Sequence, residues 1–151
     1  MTDVEIGYMA GLLDGEGSVS IKKYTSPRGH NWYYAIEIQI YNNHRPVLEW
    51  IQLRFPGEVF SRKARANKNQ KPSFVWRAWG QNAAGILRFL KPHLVIKSQH
   101  ADAALSLYDI PRTPKAIRGK VGRPRTPPEV SEQRERLFRA LRALNRRGLV
   151  A

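Results

Sequence analysis

The side chains of this chain that could carry out chemistry are carboxylates and amines rather than thiols or grouped imidazoles. The chain has no cysteine, which excludes disulfides and thiolate metal sites. The histidines form no clustered motif: His30, His44, His93 and His100. Two acids stand out, Asp14 and Glu16, because they flank Gly15 at the end of a predicted helix. Carboxylates at such a position either hydrogen-bond at the helix end or offer oxygen ligands to a hard divalent cation.

Charge gives a second indication of function. The chain has 26 Lys and Arg against 12 Asp and Glu, a formal net charge of +14 and a pI near 10.7. A field of that sign concentrates polyanions at the surface, so nucleic acid is the expected partner. The alternative is a ribosome-associated protein or another basic protein that binds polyanions without specificity, and charge alone does not separate these. Residues 111–151 hold 12 basic and 3 acidic residues, and residues 1–110 hold 14 and 9, so the excess is concentrated in the tail.

The helix before these acids is predicted over residues 3–14, so that it ends at Asp14. Its apolar positions are Ile6, Met9, Leu12 and Leu13. A second stripe, at helical spacing, is made of small residues and one acid: Gly7, Ala10, Gly11 and Asp14. Glycine in a helix costs about 1 kcal/mol relative to alanine. Two glycines in one stripe therefore predict the close approach of another backbone.

Alternating residues predict two β-hairpins between helices. Residues 18–24 pair with 33–41, and 58–65 with 73–79, while helices are predicted over 44–55, 82–90 and 97–109. In the second strand Tyr34, Ile36, Ile38 and Ile40 share one face, and polar residues share the other. The order indicates an α+β fold of the αββαββα type with C-terminal helices. A sheet with one apolar and one polar face covers a core and leaves the polar face free to bind a ligand.

The last quarter of the chain has a different composition from the rest. Five prolines and no acid over 111–128 predict an extended basic linker, so the predicted division is a core at 1–110, a linker at 111–127 and a C-terminal helix at 128–151. A capping box of Thr126 and Glu129 begins the helix, and Leu137, Leu141 and Leu144 would anchor it on the core. We expect the linker to follow DNA phosphates through Arg118, Lys120 and Arg123, the alternative being a solvated linker that contacts nothing.

The sequence from Tyr8 to Ser18, YMAGLLDGEGS, resembles the LAGLIDADG signature of homing endonucleases. Met9 to Gly17 match its nine positions, which combine a small-residue helix face with a terminal acid–glycine pair. Trp76 to Gly80 (WRAWG) and Leu90 to Lys97 (LKPHLVIK) are similar to the family's passage from the sheet into the following helices. The ending LNRRG is found in some bacterial, archaeal and phage members. The resemblance covers residues 4–109 well and the tail moderately.

This resemblance implies a site-specific double-strand DNA endonuclease that works as a homodimer. The small residues of two signature helices would meet at a two-fold axis, and the four strands of each half would form a saddle on double-stranded DNA. The target would be long and pseudo-palindromic and the cut would leave short 3′ overhangs. Such a gene sits in an intron or intein and promotes its own spread.

The resemblance also assigns the catalytic positions, each with an ordinary structural alternative. Glu16 would bind Mg²⁺, or Mn²⁺ or Ca²⁺ in its place, with the carbonyl of Gly15 as a further ligand; Mg²⁺ activates water and stabilises the leaving oxygen. Aspartate is commoner than glutamate at that position. Lys97 would contact the phosphate or position water, and Asn42 would organise water or a phosphate. The alternatives are a solvated acid at Glu16, a solvated lysine at Lys97 and a helix N-cap at Asn42.

Two further positions are interpreted against the same pattern. Asp14 is expected to hydrogen-bond at the end of the signature helix rather than to bind metal. A supporting position that is basic in some relatives falls at Pro46, or at the neighbouring Arg45, and this departure leaves the outer part of the site open.

The residues that would read DNA follow from strand alternation on the polar face. Lysine, glutamine and arginine can bond base edges, arginine best to guanine. Eight positions are predicted: Ser20, Lys22, Tyr24, Tyr33, Glu37, Gln39, Ser73 and Arg77. The third strand is ambiguous, because either Ser61, Lys63 and Arg65 or Arg62 with its neighbours would face the DNA.

Two rival functions remain at the level of sequence. A catalytically silent protein of the same fold could bind RNA as a maturase or bind DNA as a regulator, whereas an unrelated histidine–metal nuclease lacks its motif here. No apolar run approaches the roughly 18 residues of a membrane span, and the acidic start argues against a signal or transit peptide. We expect the protein to act in the compartment of its synthesis and not to be secreted.

Overall fold

The computed structural model describes residues 1–25, 32–62, 72–110 and 126–147. It contains four strands: β1 (Gly17–Thr25), β2 (Trp32–Asn42), β3 (Glu58–Arg62) and β4 (Ser73–Trp79). Its α-helices are α1 (Asp3–Glu16), α2 (Arg45–Gln52), α3 (Gly80–Leu90), α4 (Ser98–Asp109) and α5 (Pro128–Arg147), with a 3-10 turn at Lys91–His93 between α3 and α4. In this described part no helix is long and apolar enough to cross a membrane.

The strands form one antiparallel sheet in the order β1-β2-β4-β3. Across β2 and its neighbours, Ile40 lies opposite both Gly17 and Trp76, and Trp76 lies opposite Val59. Residues opposite one another share a face, so this row and the rows of the same parity face the helices. The α+β fold with a four-stranded antiparallel sheet, predicted from alternation, is confirmed.

The core lies between that face of the sheet and the helices. The largest fully buried side chains come from both layers: Trp76, Met9, Leu13, Ile36, Ile38, Ile40, Leu48, Ile51, Leu87, Leu90, Leu141 and Val19. Burial of each such side chain removes apolar surface from water at about 25 cal/mol per Å². The helices are therefore held on one side of the sheet, and the opposite side is left for other contacts.

Helix α1 begins with a complete capping box. The Thr2 hydroxyl accepts from the backbone N–H of Glu5, and the Glu5 carboxylate accepts from that of Thr2. The other Glu5 oxygen pairs with Arg54 at 2.7 Å, which joins the start of α1 to the end of α2. The helix ends at Glu16, two residues later than predicted, so both acids of the signature lie in its last turn.

Helix α3 also departs from its predicted start at residue 82. It begins at Gly80, directly after β4, and Gly80 has a φ of 63°. Only glycine adopts this left-handed conformation without steric cost. The glycine thus turns the chain from the sheet into the helix within one residue, where a loop of two residues was expected.

Helix α5 packs against the core. Leu141 is buried, and Leu137 and Leu144 pack against the same cluster, which confirms their predicted anchoring role. Glu135 accepts hydrogen bonds from Lys23 Nζ at 2.7 Å and from the Tyr34 hydroxyl at 2.6 Å. These bonds, from Lys23 first, lower the pKa of Glu135 to about 2. The helix is therefore fixed to strands β1 and β2 by apolar and charged contacts together.

Candidate active site and nucleic-acid interface

The end of α1 is fastened to the segment before α4 by the Asp14 carboxylate. Its oxygens accept backbone N–H bonds from Val95 at 2.8 Å, Ile96 at 3.2 Å and Lys97 at 2.9 Å. Burial by itself would raise the pKa of Asp14, but these bonds, with the charge of Lys97, lower it. Asp14 thus has the expected hydrogen-bonding role, although its partners belong to a distant segment and not to its own helix.

Lys97 lies at the same point of the fold. It is the N-cap residue of α4, and its Nζ donates to the carbonyl oxygen of Asp14. Burial lowers the pKa of Lys97, and the nearby Asp14 charge opposes that shift. The structure therefore brings the Lys97 amine to the end of α1, two residues from Glu16, as a catalytic lysine would require.

Glu16 and Gly15 are exposed at this end of the helix. The last four carbonyls of a helix lack intrahelical donors, and the helix dipole makes this end partly negative. A Cβ on the following residue, Gly17, would lie 2.6 Å from the Leu13 carbonyl oxygen, so the turn into β1 requires glycine. The exposed carboxylate and the helix-end carbonyl are hard oxygen donors, and they fit a Mg²⁺ ion.

These donors form only part of a ligand set. Within the described ranges, no group of three or more His, Cys, Asp or Glu side chains could hold a metal ion. A cation at Glu16 would therefore need oxygen ligands from water or from a bound molecule, which suits Mg²⁺ because it keeps several waters.

Asn42 lies at the same end of the sheet as the end of α1. It follows Ile40, which lies opposite Gly17, by two residues on β2. Its Oδ1 accepts from the backbone N–H of His44 at 2.8 Å, and His44 is the N-cap residue of α2. The predicted alternative, a helix N-cap at Asn42, is thus observed in modified form. Asn42 is not the N-cap itself but accepts a hydrogen bond from the N-cap residue two positions later. Its catalytic role stays a prediction.

The predicted DNA-reading residues of β1, β2 and β4 share the face opposite the core. The register places Ser20 against Glu37, Tyr24 against Tyr33, and Gln39 against Arg77. Lys22 and Ser73 have the same parity as their neighbours in these rows. The face is not uniformly solvated, because Glu37, Gln39 and Val75 on it are buried.

Strand β3 settles the ambiguity in the sequence and corrects one prediction. Ser61 lies opposite Phe74, which packs against the core, so the expectation that Ser61 is on the polar face is wrong. Arg62 is on that face instead, opposite Ser73, and its guanidinium lies 5.0 Å from the Tyr41 ring centre. Lys63 and Arg65 lie outside the described residues, as do Arg118, Lys120 and Arg123 of the linker.

Several residues of the polar face were not predicted. Glu58 lies opposite Arg77, Phe60 opposite Val75, and Trp79 opposite Glu37. Arg77 lies 5.4 Å from the centre of the Phe60 ring. Tyr41 could have been found from the sequence, because it continues the alternation of Glu37 and Gln39 by one step.

The exposed side of α1 differs in part from the predicted interface. Gly7 and Gly11 are exposed, as expected, with Gly15 further along the same side. Ala10 is only 1% exposed within the protomer, so its assignment to the interface is wrong. The Asp14 carboxylate already accepts three backbone hydrogen bonds from the segment before α4, so a contact with a second protomer is not needed to explain this residue. Val4 and Tyr8, at 81% and 51% exposure, border the glycines instead.

Comparison with solved structures gives consistent matches. The homing endonuclease I-CvuI, solved in complex with the I-CreI target in the presence of Mg, superposes with a TM-score of 0.68 and 16% identity over 93% of this chain and 82% of that one. The archaeal intron-encoded homing endonuclease I-Vdi141I, complexed with DNA, gives 0.67 and 15% over 94% and 84%. No protein-family model and no curated protein matches the sequence.

A longer protein matches over part of its length. The I-LtrWI LAGLIDADG homing endonuclease, bound to target DNA, superposes with a TM-score of 0.65 and 15% identity over 91% of this chain and 44% of that one. Its family takes its name from the signature that Met9 to Gly17 resemble. The chain has the fold of the LAGLIDADG homing endonucleases.

Proposed function

We propose that the protein is a homing endonuclease that cuts double-stranded DNA at a specific, long and pseudo-palindromic site. The observation that carries the proposal is the end of α1, where the exposed Glu16 carboxylate lies two residues from the carbonyl that accepts from Lys97 Nζ. This end adjoins a sheet whose polar face carries Lys22, Arg62 and Arg77. A partly negative helix end beside a cationic face suits a metal held against a DNA phosphate.

Each residue at this end of the fold has a definite task in the proposal. Glu16 and the Gly15 carbonyl would hold a divalent cation, preferably Mg²⁺, and the cation would activate water and stabilise the leaving oxygen. Lys97, held on the Asp14 carbonyl, would contribute positive charge beside the scissile phosphate. The similar protein I-CvuI was solved with Mg and with Ca.

Cutting both strands requires a second copy of the site. The described chain has one such helix end, and it matches 44% of I-LtrWI, as one half of a longer protein would. A homodimer packed through the exposed side of α1, along Gly7, Gly11 and Gly15, would place two copies of Glu16 about one axis. Each copy would act on one strand, and short 3′ overhangs would result.

The proposal is tested by selection followed by cleavage. Duplexes selected from a random library on the wild-type protein in Ca²⁺ should be cut at a fixed position when Mg²⁺ or Mn²⁺ is added. Glu16→Gln should bind them equally but cut them at least about 100-fold more slowly. Loss of groups that merely orient metal ligands already costs about 10- to 100-fold.

The matched control for this variant is Glu132→Gln, which removes the same charge from an exposed position on α5. It should cut at the wild-type rate. If Glu16→Gln also cut at that rate, Glu16 would not be a metal ligand. Selective binding by the wild type without cleavage in either metal would instead favour the catalytically silent binding protein, for RNA or DNA.

A further inference from the structure

A buried acid lies in the middle of the cationic face of the sheet. Glu37 is on β2, an inner strand, and its side chain is 7% exposed, compared with 46% for Lys22 and 38% for Arg77. A carboxylate that faces DNA phosphates would be repelled by them, and burial of a charge is costly unless it is paired. Its presence therefore calls for a specific reason.

The contacts of Glu37 supply that reason. Its Oε1 lies 3.3 Å from Lys22 Nζ and accepts from Gln39 Nε2 at 2.7 Å, and its Oε2 lies 3.6 Å from Arg77 Nε. The carboxylate is thus shared by residues of β1, β2 and β4. With Oε1 shared by Lys22 and Gln39, Oε2 facing Arg77 and little surface exposed, the carboxylate is poorly placed to bond a base edge directly.

The orientation of Arg77 follows from two of its neighbours. Its Nε points toward Glu37 and, among the described residues, is buried without a hydrogen-bond partner. The guanidinium lies beside the Phe60 ring, which restricts its remaining freedom. Because Nε faces Glu37 and the guanidinium lies along the Phe60 ring, the two terminal nitrogens of Arg77 are left to contact DNA. Together they can bond O6 and N7 of a guanine.

We propose that Glu37 is a positioning residue that sets target specificity by holding Arg77 and Lys22. This inference rests on the proposed function, because it supposes that the polar face reads DNA. Without the carboxylate, both cations would be mobile and would be drawn to the nearest phosphates, which carry no sequence information. Glu37 thus lowers the affinity for DNA of any sequence and increases the discrimination between bases.

The test uses the variant Glu37→Gln and the selected target with each base pair changed in turn. The preference at the base pair that Arg77→Ala relaxes should fall roughly 5- to 150-fold, the range of a bidentate contact. Binding to unrelated DNA should tighten, and its log–log salt slope should steepen by about 0.9 for each additional phosphate that the freed cations neutralise. Glu132→Gln is the matched control, since it removes an exposed acid on α5, on the opposite side of the sheet from the polar face, and should leave the base preference unchanged.

A double variant separates positioning from general damage to the sheet. If Glu37 acts through Arg77, adding Glu37→Gln to Arg77→Ala should change the preference at that base pair no further. An additive second loss would overturn the inference, as would a wild-type preference profile in Glu37→Gln. Should Glu37→Gln not fold, Glu37→Asp takes its place; it keeps the charge but withdraws it by one methylene, and an unchanged profile would overturn the inference equally. A wild type without sequence preference would refute the proposed function instead.

Discussion

Asp14 and Glu16 lie two residues apart in the last turn of α1, yet their surroundings differ. Asp14 accepts three backbone hydrogen bonds from residues 81 to 83 positions further along the chain. Glu16 is exposed. Of these two acids, the first joins the end of α1 to the segment before α4, and the second is exposed to solvent. The bond from the Lys97 backbone N–H to Asp14 also fixes Lys97, whose Nζ donates to the Asp14 carbonyl oxygen.

Replacement of Asp14 should show this supporting role. In Asp14→Asn the amide keeps one acceptor oxygen and loses the charge, so we expect the free energy of unfolding to fall by on the order of 2 kcal/mol. Cleavage should fall as well, because Lys97 and the segment before it lose their anchor. Urea unfolding and cleavage rates would be measured beside Asp109→Asn, an exposed acid at the end of α4. Equal stability of the two variants would contradict the role.

The signature residues were predictable from the sequence to different degrees. Glu16 could be identified because its neighbours along the chain form a recognisable motif. The partners of Asp14 could not, because spacing within a helix says nothing about contacts more than 80 residues away. Glu37 was predicted on the correct face, but its burial depends on Lys22, Gln39 and Arg77 closing around it, which only the folded sheet shows.

At the scale of elements, strands were predicted well where apolar and polar side chains alternate. In β2 the apolar Ile36, Ile38 and Ile40 face the helices, and the intervening Glu37 and Gln39 lie on the other face, although they are buried as well. Strand β3 has only five residues, and four of them are exposed, so neither face has an apolar pattern to mark it. The error at Ser61 follows from this absence of contrast. The one-residue change of parity moved every side chain of the strand to the other face.

The contact between α5 and the sheet should make stability depend on pH. The pKa of Glu135 is lowered from 4.5 to about 2, first by the hydrogen bond from Lys23. A lowered pKa contributes stability that is fully present above 4.5 and is lost as the pH falls toward 2. Glu135→Gln should therefore lower the Tm by a few degrees at pH 7 and by progressively less toward pH 2. Thermal unfolding at several pH values would check this.

The control for that variant is Gln133→Ala, an exposed position of the same helix whose side chain carries no titratable group. Its Tm difference from the wild type should not follow this pH course. A constant Tm difference for Glu135→Gln across the acid range would show that the ion pair with Lys23 does not act as described.

At the scale of the whole molecule, the proposal depends on two copies meeting through α1. Among the described residues outside its own helix backbone, a Cβ added at Gly11 would meet no atom within 4 Å. The same is true of Gly85, so free space alone does not explain a glycine. Gly11 differs because it repeats with Gly7 and Gly15 along one exposed side of α1, and the proposal explains this stripe by a neighbouring backbone at close range.

We expect Gly11→Leu to remain folded but to lose its dimer. Two new leucines facing each other would cost roughly 1–3 kcal/mol each through overpacking, which raises the dissociation constant at least tenfold. Gly85→Leu is the matched control, because Gly85 also lies in a helix with no atom within 4 Å of an added Cβ. Both variants gain helix propensity, so both should remain folded with a wild-type circular dichroism spectrum, although Gly11→Leu also loses the contribution of dimerisation to its Tm. Light scattering over a concentration series should find dimers for the wild type and Gly85→Leu and monomers for Gly11→Leu, and only Gly11→Leu should lose double-strand cleavage. A wild type that is monomeric both free and on its target, or a Gly11→Leu dimer of undiminished affinity, would exclude assembly through this face of α1.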